Sequence, residues 1–256
     1  MTGTTVTGRL GALGRAELTL FVRNRTAVFL ALLMPVLLIF VMRTTLEEVG
    51  LGGSGLTAAG ASLSGGIGIV LLQVVYMNLV AAYVARREEL VLKRLRTGEV
   101  PDREILTATA LPAGLLALLQ CALIVAGGTL AFGLTAPRRA DLLVLGLLLG
   151  TVLMTALAAA TSALTRTVQT AQLTTLPLFL ISLLGSGLFV PLDILPGLAA
   201  SLCELLPLTG VMTLVRAGWL GGVPAGDVLG AALTALAWTV LAVFAVQRWF
   251  RWDPRR

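Results

Sequence analysis

The sequence has 256 residues, of which 57% are hydrophobic and only 12% charged, and its formal net charge is +6. Soluble domains are usually about 25% charged, so this chain has too little polar surface for a soluble globule and is expected in a lipid bilayer. It contains no His, and its two Cys, Cys121 and Cys203, are far apart, which excludes His-based triads and zinc sites that need His.

Charged residues divide the sequence into six uncharged runs, which we compare with the roughly 20 residues of a helical membrane span. The runs lie between Arg25 and Arg43 (17 residues), Glu48 and Arg86 (37), Glu104 and Arg138 (33), Asp141 and Arg166 (24), Arg166 and Asp193 (26), and Asp227 and Arg248 (20). We predict one helix in each, because isolated strands cannot satisfy their backbone groups in lipid. The second run opens with LGGSGLTAAGASLSGG, which we interpret as a loop. The predicted fold class is therefore all-α integral membrane, with residues 1–256 forming one transmembrane domain.

Residues 85–106, ARREELVLKRLRTGEVPDREIL, contain five Arg, one Lys, four Glu and one Asp. We predict an amphipathic helix from about Arg86 to Arg96, ended by Thr97-Gly98. Its apolar side carries Val84, Val91, Leu92 and Leu95, and its polar side carries Arg86, Glu89, Lys93 and Arg96. The residues leave two interpretations open. The segment is either a solvated loop that orients the protein or a face that docks onto a protein of complementary charge.

Residues 191–224 are apolar but are not predicted to span. A span here would place Glu204 near its middle, at a cost of about 2.5–3.5 kcal/mol, and Pro196 and Pro207 would interrupt its hydrogen bonds. We predict an external hairpin of two short interfacial helices. One face of the first carries Leu198, Leu202 and Leu205, and one face of the second carries Val211, Leu214, Val215 and Gly218.

Six spans place both termini on one side of the membrane. If that side is the cytoplasm, it holds 15 of the 19 Lys and Arg residues, in agreement with the positive-inside rule. The other side keeps Arg43, Arg138, Arg139 and Arg216. The basic residues then lie next to the membrane, so we expect lipid as a partner and no nucleic acid.

The charged segment resembles the coupling segment of type-2 ATP-binding-cassette (ABC) exporter permeases, R-x-x-E-x-x-x-L-K-R-L-R-x-T-P-L. The matching residues are Arg86 or Arg87, Glu88 or Glu89, Leu92, Lys93, Arg94, Leu95 and Arg96. GRAELTLFVRNRTAVFLALLMPVLLIF resembles the family's N-terminal interfacial helix and first span, and Leu195-Pro196, Pro207-Leu208-Thr209 and Arg216 match its segment before the last span. Residues 97–101, TGEVP, depart from the family's T-P-L-P.

The resemblance implies six helices, an N-terminal interfacial helix, a coupling helix within residues 85–104, and a re-entrant hairpin within 191–224. It also implies two permease subunits, identical or different, bound to two cytoplasmic ATPase subunits in the bacterial plasma membrane. The sequence has no Gly-Lys-Ser/Thr phosphate loop, so ATP and Mg would be held by the ATPase, and we expect this chain to bind no cofactor and catalyse no reaction. The expected cargo is an amphiphilic drug-like, peptide or lipid molecule, including antibiotics.

Polar side chains within the spans are candidates for a substrate path, because such groups are costly in lipid. The candidates are Gln73, Tyr76, Asn78, Gln172, Thr175 and Ser182, with Gln73, Tyr76, Val80 and Tyr83 at helical spacing along one face. The simpler interpretation is hydrogen bonding between helices, worth about 0.6 kcal/mol on average. Gly146 and Gly150 form a small-xxx-small pair, which indicates close helix packing.

Three other functions are weighed against a permease. A secondary transporter or channel would need carboxylates within the membrane or an inverted repeat, and we find neither in the sequence. A membrane enzyme is disfavoured because no nucleophile motif is present. A non-transporting membrane anchor for a partner ATPase stays open.

Overall fold

The computed structural model of the chain describes residues 58–90, 101–131, 136–188 and 196–250, with five single positions before residue 58. These residues form α1 (Ala58–Val70), a π-helical segment (Leu71–Met77), α2 (Asn78–Glu88), α3 (Asp102–Ala131), α4 (Ala140–Leu164), α5 (Val168–Gly185), α6 (Gly197–Glu204), α7 (Pro207–Leu220) and α8 (Ala225–Trp249). The described ranges contain no strand, which confirms the all-α class.

Five of the described stretches are long and apolar enough to cross a membrane. They are Leu63–Glu88, Asp102–Leu130, Ala140–Leu164, Val168–Gly185 and Ala225–Trp249. Each coincides with one of the uncharged runs, so a helix of the predicted kind is present in five of the six runs. The sixth, between Arg25 and Arg43, and the N-terminal interfacial helix lie outside the described residues apart from single positions.

The first described helix, α1, begins at Ala58, within the stretch that we interpreted as a loop. The Gly and Ser residues of this stretch are therefore partly helical. Ser64, Gly65 and Gly66 of this stretch are buried, and small residues allow close packing in membrane helices. The part of the stretch from Ala58 onwards is therefore a helix and not a loop.

The hairpin consists of two helices, α6 and α7, which meet at an angle of 91°. Their number and order agree with the prediction, but α7 is buried in the bundle instead of lying at an interface. A Cβ on Gly146 of α4 would lie 3.2 Å from Val215, and one on Gly150 would lie 2.7 Å from Val211. These contacts follow opposite chain orders, so α7 runs antiparallel along α4. They confirm the Gly146–Gly150 pair as a site of close packing.

The last span, α8, packs on α7 from another side. Gly210 faces the backbone carbonyl of Ala231, and the Trp238 Nε1 donates a hydrogen bond to the Leu205 carbonyl at 2.7 Å. These pairs also run in opposite chain order. The residues that precede α7 therefore lie opposite the middle of α8, while the other end of α7 lies near the start of α4.

We expect Gly218→Ala to destabilise the protein. A Cβ at Gly218 would overlap the backbone nitrogen of Leu143 and lie 2.7 Å from its Cα, so α4 and α7 would have to separate. Overpacking of this kind costs about 1–3 kcal/mol. The measurement is the thermal unfolding midpoint of the purified protein in detergent. The matched control is Gly230→Ala in α8, where no atom lies within 4 Å of the added methyl group. Equal midpoints for the two variants would contradict the close approach of α4 and α7.

Candidate functional site

The helix that leads into the charged segment ends earlier than predicted. α2 ends at Glu88, and Leu90 has a φ of 59°, in the left-handed region that stops an α-helix. The predicted continuous helix from Arg86 to Arg96 is therefore interrupted at Leu90. Residues 91–100 lie outside the described part of the chain, so the structure does not address the rest of that prediction.

The side chain of Arg87 lies inside the bundle, only 1% exposed. Its Nη1 donates a hydrogen bond to the Ser162 carbonyl at 2.9 Å, and its Nη2 donates to the Thr165 carbonyl. α4 ends at Leu164, where the last carbonyls of a helix lack partners along the chain. A cation is also favoured at the negative end of the helix dipole. Arg87 therefore joins the end of α2 to the turn between α4 and α5.

Two tyrosines precede Arg87 on the same face of the second span. The Tyr83 hydroxyl donates to the Leu106 carbonyl of α3 at 3.0 Å, and the Tyr83 ring meets Phe250 edge to face at 6.4 Å. The Tyr76 hydroxyl lies 3.2 Å from that of Thr161 in α4. Spacings of seven and four residues place these three side chains on one helical face. We call Tyr76, Tyr83 and Arg87 the internal polar stripe.

The charged segment returns to the bundle at α3, immediately after Pro101. The Pro101 carbonyl accepts hydrogen bonds from the backbone N–H groups of Glu104 and Ile105. Asp102 lies in the first turn, where an acidic side chain stabilises a helix. Glu104 and Ile105 are buried. Both described ends of segment 85–104 are thus fixed to the helices of the bundle.

The predicted coupling residues lie in different environments. Arg86 is half-buried, Arg87 is buried, and Glu88 and Glu89 are exposed. Arg87 is thus held by contacts within this chain. Leu92, Lys93, Arg94, Leu95 and Arg96 lie outside the described residues. Docking of an ATPase on this set of residues stays a prediction.

The π-helical segment changes which side chains of the second span share a face. The backbone N–H of Asn78 bonds to the carbonyl of Gln73, five residues earlier, whereas an α-helix bonds four residues earlier. This widened turn brings Gln73 and Asn78 towards one side, and both are exposed, whereas Tyr76 and Tyr83 are buried. The α-helical spacing predicted Gln73 on the face of the tyrosines, and the π turn is the reason that it lies elsewhere.

In the fifth span, Gln172 is exposed, whereas Thr175 and Ser182 are buried. The Thr175 hydroxyl donates to the Gln172 carbonyl at 2.8 Å. The Ser182 hydroxyl has no hydrogen-bond partner within the described ranges. The exposed candidates are therefore Gln73, Asn78 and Gln172, and the other three lie within the bundle. Contact of any of the six with substrate stays a prediction.

The burial of Arg87 was not predicted from the sequence, although the spacing of the residues contains a signal for it. Arg87 lies four residues after Tyr83 and eleven after Tyr76, so helical spacing places it on the tyrosine face. The coupling motif accepts either Arg86 or Arg87 at one position and so does not distinguish the two.

The comparisons with known proteins agree with this architecture. A family model described as ABC-2 type transporter matches residues 9–220, which include the charged segment and most of the hairpin. The chain belongs to the ABC-2 type transporter family. No match to it was found among curated proteins.

Membership of the ABC-2 type transporter family makes this chain the permease component of an ABC-type transporter and a multi-pass membrane protein. The matched domain is the transmembrane part of such a transporter, and the nucleotide-binding domain is not part of it. The family also implies an ABC ATPase as a partner.

We expect Arg87→Gln to destabilise the ABC-2 permease by about 3 kcal/mol, because the carbonyls of Ser162 and Thr165 would lose charged donors in a buried site. The matched control is Arg103→Gln, which removes an exposed Arg from the first turn of α3 and should change stability by less than about 0.5 kcal/mol. Chemical unfolding of the purified variants measures both. Similar losses for the two variants would contradict the inferred role of Arg87.

Proposed function

We propose that this permease subunit belongs to an exporter driven by ATP hydrolysis on separate ATPase subunits. Two permease subunits, identical or different, would pair in a bacterial plasma membrane with both termini in the cytoplasm. The cargo would be an amphiphilic drug-like, peptide or lipid molecule, and antibiotics are within this class. The distribution of 15 of 19 basic residues on one side supports this orientation.

The observation that carries the proposal is the attachment of both described ends of segment 85–104 to the bundle. Arg87 joins α2 to the turn after α4, and Tyr83 joins α2 to the first residues of α3. An ATPase that docks on the charged residues of this segment would therefore move several spans together. ATP binding and hydrolysis, with Mg held by the ATPase, would supply the energy.

The route for the cargo would run along the exposed polar side chains of the second and fifth spans. Gln73 and Asn78 are exposed on an otherwise largely buried span, and Gln172 is exposed on α5. Amide groups in lipid can bind the polar part of an amphiphile, while the surrounding apolar side chains accommodate its hydrocarbon. The route would be completed where two permease subunits meet.

Charge reversal in the segment tests the docking step. We expect the triple variant Arg86→Glu, Lys93→Glu and Arg96→Glu to lose the ATPase during co-purification, because like charges would then face each other. The permease itself should keep its unfolding midpoint. Arg248→Glu, an exposed Arg near the end of α8, serves as a control that should retain the ATPase.

Retention of the ATPase by the triple variant would contradict docking through this face. Loss of the ATPase from the Arg248→Glu control as well would show that overall charge, and not this segment, governs the association.

A further inference from the structure

Two serine hydroxyls near the C-terminal end of α5 are buried without a partner. Ser182 and Ser186 are both 0% exposed, and neither Oγ has a hydrogen-bond partner among the described residues. Other hydroxyls of this helix bond to its own backbone, as the Thr175 hydroxyl does to the carbonyl of Gln172. A buried hydroxyl without a partner costs free energy, so these two oxygens point to a bound ligand.

The spacing of the two serines places their hydroxyls on one side of the helix. The backbone N–H of Ser186 donates to the Ser182 carbonyl at 3.1 Å, which is the α-helical pattern. Residues four apart in a helix have Cβ atoms about 5–6 Å apart. One oxygen atom at the usual hydrogen-bond distance of about 2.7–2.8 Å from each hydroxyl spans this gap. A ligand of a single heavy atom therefore satisfies both serines.

The residues on either side of Ser186 pack against the hairpin. A Cβ on Gly185 would overlap the side chain of Leu206, which precedes α7. Gly187 has a φ of 72°, and its carbonyl accepts a hydrogen bond from the Arg216 Nη1 of α7 at 3.0 Å. The end of α5 is thus held against α7 on both sides of the second serine, which leaves room only for a small ligand.

The surroundings of the serines favour a neutral ligand. The guanidinium of Arg216 next to the Gly187 carbonyl opposes the binding of a metal cation. The carbonyls at the end of α5 carry negative partial charge, which opposes an anion. Water fits both conditions, since it donates and accepts and usually makes about three hydrogen bonds in a buried site.

We propose that a structural water molecule binds between the hydroxyls of Ser182 and Ser186. Its third hydrogen bond goes to a carbonyl of the last turn of α5, because the final carbonyls of a helix lack partners along the chain. The water completes the hydrogen bonding of α5 where this helix meets the hairpin. This site goes beyond the proposed function and gives Ser182 a partner other than cargo.

The test is a double-mutant cycle on the purified protein, read as the thermal unfolding midpoint in detergent. We expect Ser182→Ala and Ser186→Ala each to lower the midpoint by about 2–4 °C, because each removes one partner of the water. The double variant should lose about as much as either single variant, since both hydroxyls share one ligand. The midpoints should be equal in sodium chloride and choline chloride.

The matched control is Ser162→Ala in α4. Ser162 is also 0% exposed, but its hydroxyl donates to the Ala159 carbonyl of its own helix at 2.7 Å. Its effect should add to that of Ser186→Ala, because the two residues share no ligand.

A rise in the midpoint of either serine variant of α5 would overturn the proposal, since removing a hydroxyl that has no partner stabilises a protein. Additive losses in the Ser182 and Ser186 cycle would also overturn it. A midpoint that rises with sodium would assign the site to a cation instead. A cryo-electron microscopy map that resolves ordered water should show density between the two hydroxyls, and an empty gap there would contradict the site directly.

Discussion

The hydrogen bonds from the buried guanidinium of Arg87 to the end of α4 are the interaction on which this structure depends. A charged side chain with 1% exposure needs hydrogen-bond partners in an apolar bundle, and both terminal nitrogens of Arg87 have one. The last turn of α4 supplies carbonyl oxygens that would otherwise lack partners. The two hydrogen bonds therefore stabilise both the buried guanidinium and the end of α4. They also fix the end of the second span next to the turn between α4 and α5.

Close helix packing fixes the position of α7, as the hydrogen bonds of Arg87 fix the end of α2. Gly146 and Gly150 let α7 approach α4, and Gly210 lets it approach α8. Van der Waals contact is the main attraction between helices in lipid, so the absence of side chains at these points brings the backbones together. α7 is consequently buried in the bundle, and Leu205, just before it, lies level with the middle of α8.

Hydrophobicity alone was sufficient to predict the five described spans, because a bilayer requires helices of a nearly fixed length. The two hairpin helices were also predictable, since Pro196 and Pro207 mark their starts. The exposure of Gln73 could not be predicted, because the extra residue of the π turn shifts the helical spacing. The burial of α7 could not be predicted either, because composition does not distinguish a helix buried against glycines from one at the membrane surface. The break at Leu90 follows no local signal such as Gly or Pro.

The central claim is that the end of α2 and the turn after α4 move as one body. Spin labels at Glu88→Cys and Arg166→Cys, with Cys121 and Cys203 replaced, allow this distance to be measured by electron resonance in a complex with the ATPase. One labelled permease subunit should be diluted with unlabelled subunits. We predict that the distance stays constant between the nucleotide-free and ATP-bound states. A change of several ångströms on ATP binding would contradict the connection through Arg87.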